Sequence, residues 1–474
     1  MSDSELAKLH EAALKVLRQT GIYVNHSDLR KILSDAGAVL DEERKIVKFP
    51  ASMVEKAIEK APPGFTLYER GNRSGKITLE DNKVFTHTTG GASNVIDLDN
   101  RRRRNARIKD VERAARLINV LDNVHAFSPL VTPTDVINGA EEVEMVNMAI
   151  RNTNKVIENP VTSATEVDFL FRLFAAVTGS ETELKRHPSF AVSVSPISPL
   201  NFDKGSSSAM MQSAKRKLPT KLLPAPIAGA TAPVTFAGAL AQQHAELLAG
   251  LTILQTVSPG LPAVLSPRLS VMDMRNSFVS WGTSELGRAS AAAVQLINEL
   301  NLPSDVYGLS SDAKALDEQQ GYEKSMNGIL PALAGANFLS GAGGIESLKS
   351  ASLAQMVVDN EIFGIILDTI AGFRVDADTI ALEVINSVGP GGEFIKQRHT
   401  AEFARKGEQH EPELSDRSTW ENWVDGGKKD LIEVATERAR SLLADSEPLE
   451  IDPVTLKSLD EIMEDARSYF KEQN

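Results

Sequence analysis

The sequence contains no cysteine among its 474 residues. This absence excludes disulfide bonds, thiolate metal sites, iron–sulfur clusters and a cysteine nucleophile. Histidine is also scarce, and its eight residues form neither an H-x-H nor an H-E-x-x-H motif. We therefore expect no bound metal. No serine stands in a nucleophile-elbow motif, so no nucleophilic side chain stands out.

An excess of basic charge is absent as well. The chain has 51 lysine and arginine residues against 64 aspartate and glutamate residues, a net charge of −13. This balance argues against nucleic acid and anionic membranes as main partners. A local exception is "NRRRRNARIK", in which Arg101 to Arg104 are consecutive. We interpret it as a solvated basic turn, with the docking of an acidic partner as the alternative.

Long apolar runs are missing too. No run reaches the roughly 18 residues that a membrane-spanning helix requires, and "IFGIILDTIAGF" is interrupted by Asp368. The first residues, "MSDSELAKLHEAALKVL", are charged and have helical spacing, which is not typical of a signal peptide. These features predict a cytoplasmic protein.

From about residue 84, short apolar runs alternate with helical patterns. The eight runs are "VFTHTTG", "VHAFSPL", "KVIENPVT", "FAVSVSPIS", "KLLPAPIAG", "PAVLSPRL", "DVYGLSS" and "NFLSGAG". Alternating strands and helices favour a parallel sheet with right-handed crossovers. Eight units predict an α/β fold of the closed (β/α)8 type, the TIM barrel. A doubly wound open sheet is the alternative.

Patterns on either side of this alternation predict two additional parts. Residues 1–80 are expected to form an N-terminal helical cap with short strands, because apolar residues recur at helical spacing from Leu6 to Leu17. The barrel is expected to span residues 81–375. Residues 376–474 are mostly polar and helical in pattern, so we expect a C-terminal helical layer packed on the barrel.

Charged side chains at the predicted strand ends are candidate site residues, because barrels of this kind bind substrates at the carboxyl ends of their strands. Glu158 lies in an apolar run, where a carboxylate is costly unless it is paired. Glu158 either forms a structural salt bridge or is a site carboxylate that faces a cation. The same two interpretations apply to Glu346. Arg268 either pairs with such a carboxylate or clamps a substrate carboxylate. His87 is either a satisfied core histidine or a pocket donor.

The stretch "ANFLSGAGGIESLKS" contains three glycines after the last predicted strand, at Gly341, Gly343 and Gly344. A dinucleotide fingerprint is disfavoured, because Glu346 stands where its third glycine belongs and no P-loop lysine follows. A bare turn remains open. The other interpretation is a strand-end loop that leaves space for a bulky group to approach.

Several longer segments carry a family resemblance. "ALAGANFLSGAGGIES", "VVDNEIFG", "VGPGGEFIKQRHT", "LSDRSTWENWVDGGKKDL" and "LDNVHAFSPLVTPTDV" resemble the trimethylamine methyltransferase family over nearly the whole chain. The resemblance implies a (β/α)8 barrel that moves a methyl group from a methylated amine to the Co(I) of a corrinoid. It also implies that this corrinoid, a cobalamin, is supplied in trans by a separate small protein.

The resemblance also bears on the substrate. Founding members of the family carry pyrrolysine near the position of Leu348, whereas this chain has ordinary residues there. It therefore looks like the pyrrolysine-free branch, which implies a quaternary amine such as glycine betaine as the methyl donor. Cobalt is itself the nucleophile in this chemistry, so no catalytic acid, base or nucleophile is assigned. No D-x-H-x-x-G cobalamin signature occurs in the chain, in agreement with a transiently docking corrinoid protein.

On this reading, the substrate-binding residues are Glu158, Arg268, Glu346, His87 and Leu348, and Gly341, Gly343 and Gly344 provide corrinoid access. A homo-oligomer is possible. Another barrel enzyme, such as a lyase or aldolase, would need a Schiff-base lysine or a metal set at the strand ends. The remaining alternatives are a non-catalytic betaine-binding barrel and a methyltransferase that uses methyltetrahydrofolate as donor.

Overall fold

The computed structural model describes residues 1–70, 75–80, 83–447 and 449–473. Helices and short strands come first: α1 (Asp3–Gln19), β1 (Ile22–Val24), α2 (Ser27–Asp35), β2 (Val39–Asp41), β3 (Ile46–Lys48), α3 (Ala51–Lys60), β4 (Phe65–Tyr68) and β5 (Lys76–Leu79). Helix α1 buries Leu6, Ala13 and Leu17 along one face, as its helical spacing predicts. A capping box of Ser2 and Glu5 satisfies backbone groups at its first turn.

Eight β/α units follow this segment. The first four contain β6 (Phe85–Thr88), β7 (Asn94–Ile96), β8 (Arg103–Asn105), α4 (Ile108–Asn119), β9 (Ala126–Phe127), α5 (Glu141–Asn152), β10 (Val156–Pro160), α6 (Ala164–Thr178), α7 (Glu181–Arg186), β11 (Phe190–Val194), β12 (Asn201–Phe202) and α8 (Lys204–Arg216). The last four contain β13 (Thr220–Leu222), β14 (Ile227–Ala228), α9 (Phe236–Val257), β15 (Ala263–Leu265), β16 (Ser270–Met272), β17 (Val279–Ser280), α10 (Ser284–Asn298), β18 (Asp305–Tyr307), α11 (Glu318–Leu333), β19 (Phe338–Ala342), β20 (Gly344–Ile345), β21 (Ser350–Ser352) and α12 (Leu353–Ala371).

One strand from each unit enters a parallel eight-stranded sheet in the order β15-β13-β11-β10-β9-β6-β19-β18. A parallel bridge between Leu265 and Ser304 brings its two edges together, so the sheet forms a nearly closed barrel. Each of the eight apolar runs identified in the sequence supplies one of these strands. The predicted (β/α)8 barrel is confirmed, and the doubly wound alternative is wrong.

Apolar side chains fill the end of the barrel at which the strands begin. Their cluster contains Ala126, Val156, Ala191, Val264 and Phe338 from the barrel strands, and Leu67, Ile77 and Leu79 from the β4–β5 hairpin. The hairpin therefore covers the N-terminal end of the barrel. We call this layer the hydrophobic floor, and polar chemistry inside the barrel lies above it.

The last hundred residues contain α13 (Ala377–Ile380), α14 (Leu382–Val388), α15 (Arg398–Arg405), α16 (Trp420–Asp425), α17 (Leu431–Asp445) and α18 (Pro453–Gln473). Helix α17 packs on α12 and α4, and α18 packs on α5 and α6. In contrast, α13 to α16 bury none of their residues. No helix in the described part of the chain is long and apolar enough to cross a bilayer. The boundaries of the three predicted parts stay a prediction.

Candidate functional site

Charged side chains meet inside the barrel, above the hydrophobic floor. In β10, Glu158 follows the floor residue Val156 by two positions, and in β6, His87 follows Phe85, which packs against the floor, by two positions. Both side chains therefore point to the same inward side. Each member of the group is 6% exposed or less. This group, called the buried charge cluster below, consists of His87, Glu158, Lys221, Arg268 and Asp305.

Each carboxylate of the cluster is surrounded by nitrogen partners. Glu158 contacts Lys221 directly, and its Oε1 lies 2.7 Å from His87 Nδ1. Asp305 Oδ2 lies 2.5 Å from Lys221 Nζ, and its Oδ1 lies 2.8 Å from an Arg268 terminal nitrogen and 3.1 Å from His87 Nε2. Buried charges persist only when they are paired and hydrogen-bonded in this way.

The imidazole of His87 lies between two carboxylates, and this position sets its charge. A neutral imidazole would turn a lone pair toward one side, whereas an imidazolium presents an N–H to Asp305 through Nε2 and to the Thr88 carbonyl and Glu158 through Nδ1. Burial lowers the pKa of His87, but the negative charges of Glu158 and Asp305 outweigh burial and raise it.

The two carboxyls shift in the opposite direction. Burial raises the pKa of Glu158, but His87 and Lys221 lower it below its ordinary value. Burial also raises the pKa of Asp305, but the positive charges of Arg268 and Lys221 hold that pKa well below its ordinary value. The cluster thus joins two carboxylates to the ammonium of Lys221, the guanidinium of Arg268 and the imidazole of His87. The two carboxylates are balanced by Lys221 and Arg268, and the raised pKa of His87 favours a further positive charge beside them.

Three members of the cluster also have metal-ligand chemistry. Ligand atoms of His87, Glu158 and Asp305 lie within 4.8 Å of one another. However, the ammonium group of Lys221 contacts both carboxylates. A divalent cation at this place would lie beside that positive charge, and electrostatic repulsion opposes such a site.

The geometry distinguishes the two interpretations of Glu158 and Arg268. Because Glu158 is already paired with Lys221, it fits the structural salt bridge better than a carboxylate that awaits a substrate cation. Arg268 pairs with Asp305, which was not among the candidates. Its buried Nε has no hydrogen-bond partner among the described residues. Arg268 thus has a donor left for a ligand, and the substrate-binding role of these residues stays a prediction.

Two aromatic rings continue from Arg268 toward the mouth of the barrel. The guanidinium carbon of Arg268 lies 4.5 Å from the ring centre of Tyr307. Trp281 meets the Tyr307 ring edge-on, with the ring centres 5.0 Å apart. Burial of the hydroxyl raises the pKa of Tyr307, so it is neutral at physiological pH. The pair forms an aromatic wall that can contact a cation.

Glu346 and Leu348 lie apart from the cluster, in the turn between β20 and β21. Glu346, Ser347 and Leu348 have backbone φ angles of +54°, +53° and +67°. Such left-handed conformations cost roughly 1–2 kcal/mol for each residue with a side chain. Strain of this kind is typical of functional loops that their surroundings hold in place.

The carboxylate of Glu346 is also paired. Its Oε2 lies 2.9 Å from Arg103 Nε and accepts a 2.5 Å hydrogen bond from Ser350. Burial raises the pKa of Glu346, but Ser350 and Arg103 outweigh it, so the pKa is lowered. The carboxylate therefore anchors the turn to the β7–β8 hairpin.

The glycines before this turn are closely packed. Gly341 has a φ of +118°, and a Cβ atom there would lie 2.7 Å from the backbone of Leu309. Gly343 has a φ of +81°, and its Cβ would lie 2.8 Å from a methyl group of Leu130. A Cβ on Gly344 would lie 2.9 Å from Thr89. Conformation and packing account for these glycines, and their role in corrinoid access stays a prediction.

The basic run of the sequence lies in a strand-end loop of the first unit. Arg104 pairs with Asp97 at 3.1 Å and with Asp110 at 2.7 Å. Arg101 and Arg102 are exposed, and neither has an ion pair with the residues that the structure describes. In this run, Arg103 and Arg104 form ion pairs that hold the local structure, whereas Arg101 and Arg102 are exposed to solvent.

A cavity of about 250 Å³ lies beside this loop. It is bounded by the β7–β8 hairpin, residues 314–316, the start of α12 and α17. No residue of the buried charge cluster lines it. The cavity therefore lies outside the barrel interior, and the cluster with its aromatic wall remains the candidate site.

Sequence reasoning missed Lys221, Asp305 and Tyr307. Lys221 and Asp305 lie within the apolar runs "KLLPAPIAG" and "DVYGLSS", so the argument that singled out Glu158 applied to them equally. Their partners could not be read from the sequence, because Lys221 is 63 residues from Glu158 and His87 is 218 residues from Asp305.

Comparisons with known proteins agree with this fold. The family model of trimethylamine methyltransferase matches residues 1–468. A trimethylamine methyltransferase of Desulfitobacterium hafniense is 34% identical over 467 residues, which are 98% of this chain and 94% of that protein. One from Methanosarcina barkeri is 31% identical over 471 residues, 98% and 95% of the two chains. A glycine betaine methyltransferase from a second strain of Desulfitobacterium hafniense is 29% identical over 455 residues, 96% and 94%.

A solved structure is similar as well. The crystal structure of the monomethylamine methyltransferase of Methanosarcina barkeri has a TM-score of 0.50 with this chain and 15% sequence identity. The match covers 94% of this chain and 95% of that chain. At this identity the likeness shows a shared fold.

Proposed function

Because this chain belongs to the trimethylamine methyltransferase family, we propose that it transfers a methyl group from a quaternary amine to the Co(I) of a corrinoid on a separate protein. Glycine betaine, or a related betaine, is the proposed methyl donor. The relative that is named a glycine betaine methyltransferase supports this donor class.

The proposed step is a direct displacement at carbon. An electron pair on Co(I) attacks the methyl carbon, and the carbon–nitrogen bond breaks with its pair going to nitrogen. The products are methyl–Co(III) and a neutral tertiary amine. Since nitrogen leaves without charge, no proton needs to move, and the residues of the chain have only to bind, orient and desolvate the donor.

The observation that carries the proposal is a buried cationic donor inside the barrel, because the Arg268 Nε–H has no hydrogen-bond partner among the described residues. A betaine carries a carboxylate at the end opposite its ammonium group, and this Nε–H, which no described residue engages, can bind it. Its trimethylammonium group would then lie toward the barrel mouth, against the rings of Tyr307 and Trp281.

A first experiment establishes the reaction. The protein is mixed with a Co(I) corrinoid protein and a panel of methylated amines while the cobalt absorbance is recorded. Methyl–Co(III) should form with one betaine and not with trimethylamine. Betaine binding without methyl transfer, against a demonstrably active corrinoid protein, would instead support the non-catalytic binding barrel. Transfer from methyltetrahydrofolate alone would support the alternative of a methyltransferase that uses methyltetrahydrofolate as its donor.

A second experiment tests the orientation of the donor. Arg268→Gln should lower kcat/KM for the betaine about 10- to 100-fold, because a charge-assisted hydrogen bond contributes roughly 1.5–3 kcal/mol. Tetramethylammonium, which has no carboxylate, serves as the matched substrate and should be little affected. Arg275→Gln is the control variant, since Arg275 also lies between β15 and α10 but its side chain is 89% exposed. Equal losses with both substrates would contradict the proposed orientation.

A further inference from the structure

Three strand-end loops meet at one carboxylate, that of Asp312. Asp312 lies in the loop between β18 and α11. Its Oδ1 accepts hydrogen bonds from the Trp281 backbone N–H at 2.8 Å and from the Ser347 hydroxyl at 2.7 Å. Its Oδ2 accepts from the hydroxyl of Ser280. Ser280 and Trp281 belong to the loop before α10, and Ser347 belongs to the loop before α12, so one side chain joins the loops of the last three units.

Asp312 is itself held by a helix. Its backbone N–H donates to Glu323 Oε2 at 2.8 Å, and the hydroxyl of Ser311 donates to the same oxygen at 2.6 Å. Glu323 projects from α11, whose Lys324 forms a buried pair with Asp359 on α12 at 2.8 Å. The carboxylate of Asp312 is therefore presented from a rigid part of the barrel.

The first structure that Asp312 supports is the left-handed turn of Glu346, Ser347 and Leu348. Besides the side-chain bond, Ser347 N–H donates to the carbonyl of Ser311 at 2.9 Å, and Glu346 N–H donates to that of Ala313 at 2.8 Å. A turn with three positive φ angles relaxes unless such contacts hold it. The loop of Asp312 provides these contacts.

The second structure is the aromatic wall. The hydrogen bond to Asp312 fixes the backbone of Trp281, whose ring meets Tyr307 edge-on at 5.0 Å. Tyr307 in turn covers the guanidinium of Arg268 at 4.5 Å. One carboxylate thus holds both the wall and the strained turn at the mouth of the barrel.

We propose that Asp312 is a positioning residue that holds the Trp281–Tyr307 wall and the Glu346–Leu348 turn in the arrangement that binds the methyl donor. The inference rests on the proposed function for its kinetic consequences only. The positions of the wall and the turn can be measured without any substrate, so the two proposals fail separately.

The structural test uses the full chain in a Trp420→Phe, Trp423→Phe background, in which Trp281 is the only tryptophan. Asp312→Ala should shift the emission of Trp281 to longer wavelength, because a released ring becomes more hydrated. It should also accelerate trypsin cleavage after Lys349, an exposed residue that follows the turn. Asp312→Asn, which keeps an oxygen acceptor, should show smaller changes in both. This milder variant still decides the question if Asp312→Ala does not fold.

The control is Asp317→Ala, which removes the N-cap of α11 from the same loop without touching the junction. It should leave the emission and the cleavage rate unchanged. In methyl transfer, Asp312→Ala should raise KM for the betaine at least tenfold with a smaller change in kcat, and Asp312→Asn should recover part of the loss. The inference would be overturned if Asp312→Ala had the same tryptophan emission, the same cleavage rate and the same KM as the parent. Altered emission and cleavage in a protein that transfers no methyl group would sustain it and count against the proposed function alone.

Discussion

Replacing Lys221 by methionine is the sharpest test of the buried charge cluster. The side chain of Lys221 is 2% exposed, and its ammonium contacts both Glu158 and Asp305. Methionine has a similar length and carries no charge, so Lys221→Met removes one positive group while the interior volume stays nearly the same. The two carboxylates are then left with His87 and Arg268 as their only cationic partners among the described residues.

We expect this change to lower the free energy of unfolding by about 3–5 kcal/mol at pH 7, the usual cost of removing one partner from a buried ion pair. The gain from burying an apolar methionine is smaller than this cost. A double variant, Lys221→Met with Glu158→Gln, should be less destabilised than Lys221→Met alone, because it removes a carboxylate together with its lysine. The difference between the change in the double variant and the sum of the two single changes measures the interaction free energy of the Lys221–Glu158 pair.

The effect should depend on pH in a defined direction. In the parent, the lowered pKa values of Glu158 and Asp305 contribute stability above their unfolded values near pH 4, and this contribution is lost as the pH falls through the folded values. Without Lys221, one of the cations that lower the pKa of Glu158 is gone, so this pKa rises toward the value that burial favours. The folded variant takes up a proton more readily, so its deficit relative to the parent should shrink from pH 7 to pH 5.

Urea unfolding followed by circular dichroism at the two pH values measures both effects. Lys15→Met is the control, because Lys15 is 53% exposed at the side chain and its pair with Glu11 lies on the surface. That control should change stability by less than about 0.5 kcal/mol. A Lys221→Met variant within that same margin at pH 7, or a deficit that grows as the pH falls, would refute the assigned charges.

Three further predictions concern other charged groups. Lys324→Met should lower the free energy of unfolding by about 3–5 kcal/mol, because the fully buried Asp359 at 2.8 Å would lose its ionic partner and keep only the Gly343 N–H and Gln355 as donors; adding Asp359→Asn, which keeps an acceptor without the charge, should recover part of the loss in urea unfolding. Glu346→Gln should cost at most about 1 kcal/mol, since its arginine partner is half-exposed, and a larger cost would place the carboxylate deeper than the structure does. Arg101→Glu combined with Arg102→Glu should leave thermal unfolding nearly unchanged, because both side chains are exposed, while a raised KM for the corrinoid protein would favour the docking alternative.

The fold was largely predictable from the sequence. Strands of a parallel barrel are buried on both faces, so each appears as a short apolar run between helical patterns. The eight runs had this form and spacing, and each became a barrel strand. Small elements at the strand ends, such as β20 and β21 around the Glu346 turn, were not foreseen, because short pairings depend on contacts rather than on local pattern.

The candidate site was predictable in part. His87, Glu158 and Arg268 drew notice because charge inside an apolar run requires a partner, and all three lie in the buried charge cluster. Glu346 and Leu348 were proposed as site residues because they follow the glycine-rich segment. They lie in a turn at the barrel mouth, apart from the buried charge cluster.

The order of residues along the chain was enough to determine a (β/α)8 barrel and to mark several charged positions as unusual, because burial and periodicity leave a local trace. It could not say which charges meet. Lys221 joins Glu158 to Asp305 only because closing the barrel brings β10, β13 and β18 around one interior. Electrostatic pairing depends on distances of a few ångströms between residues far apart in sequence. The pairing of charges inside the barrel is therefore a property of the folded chain.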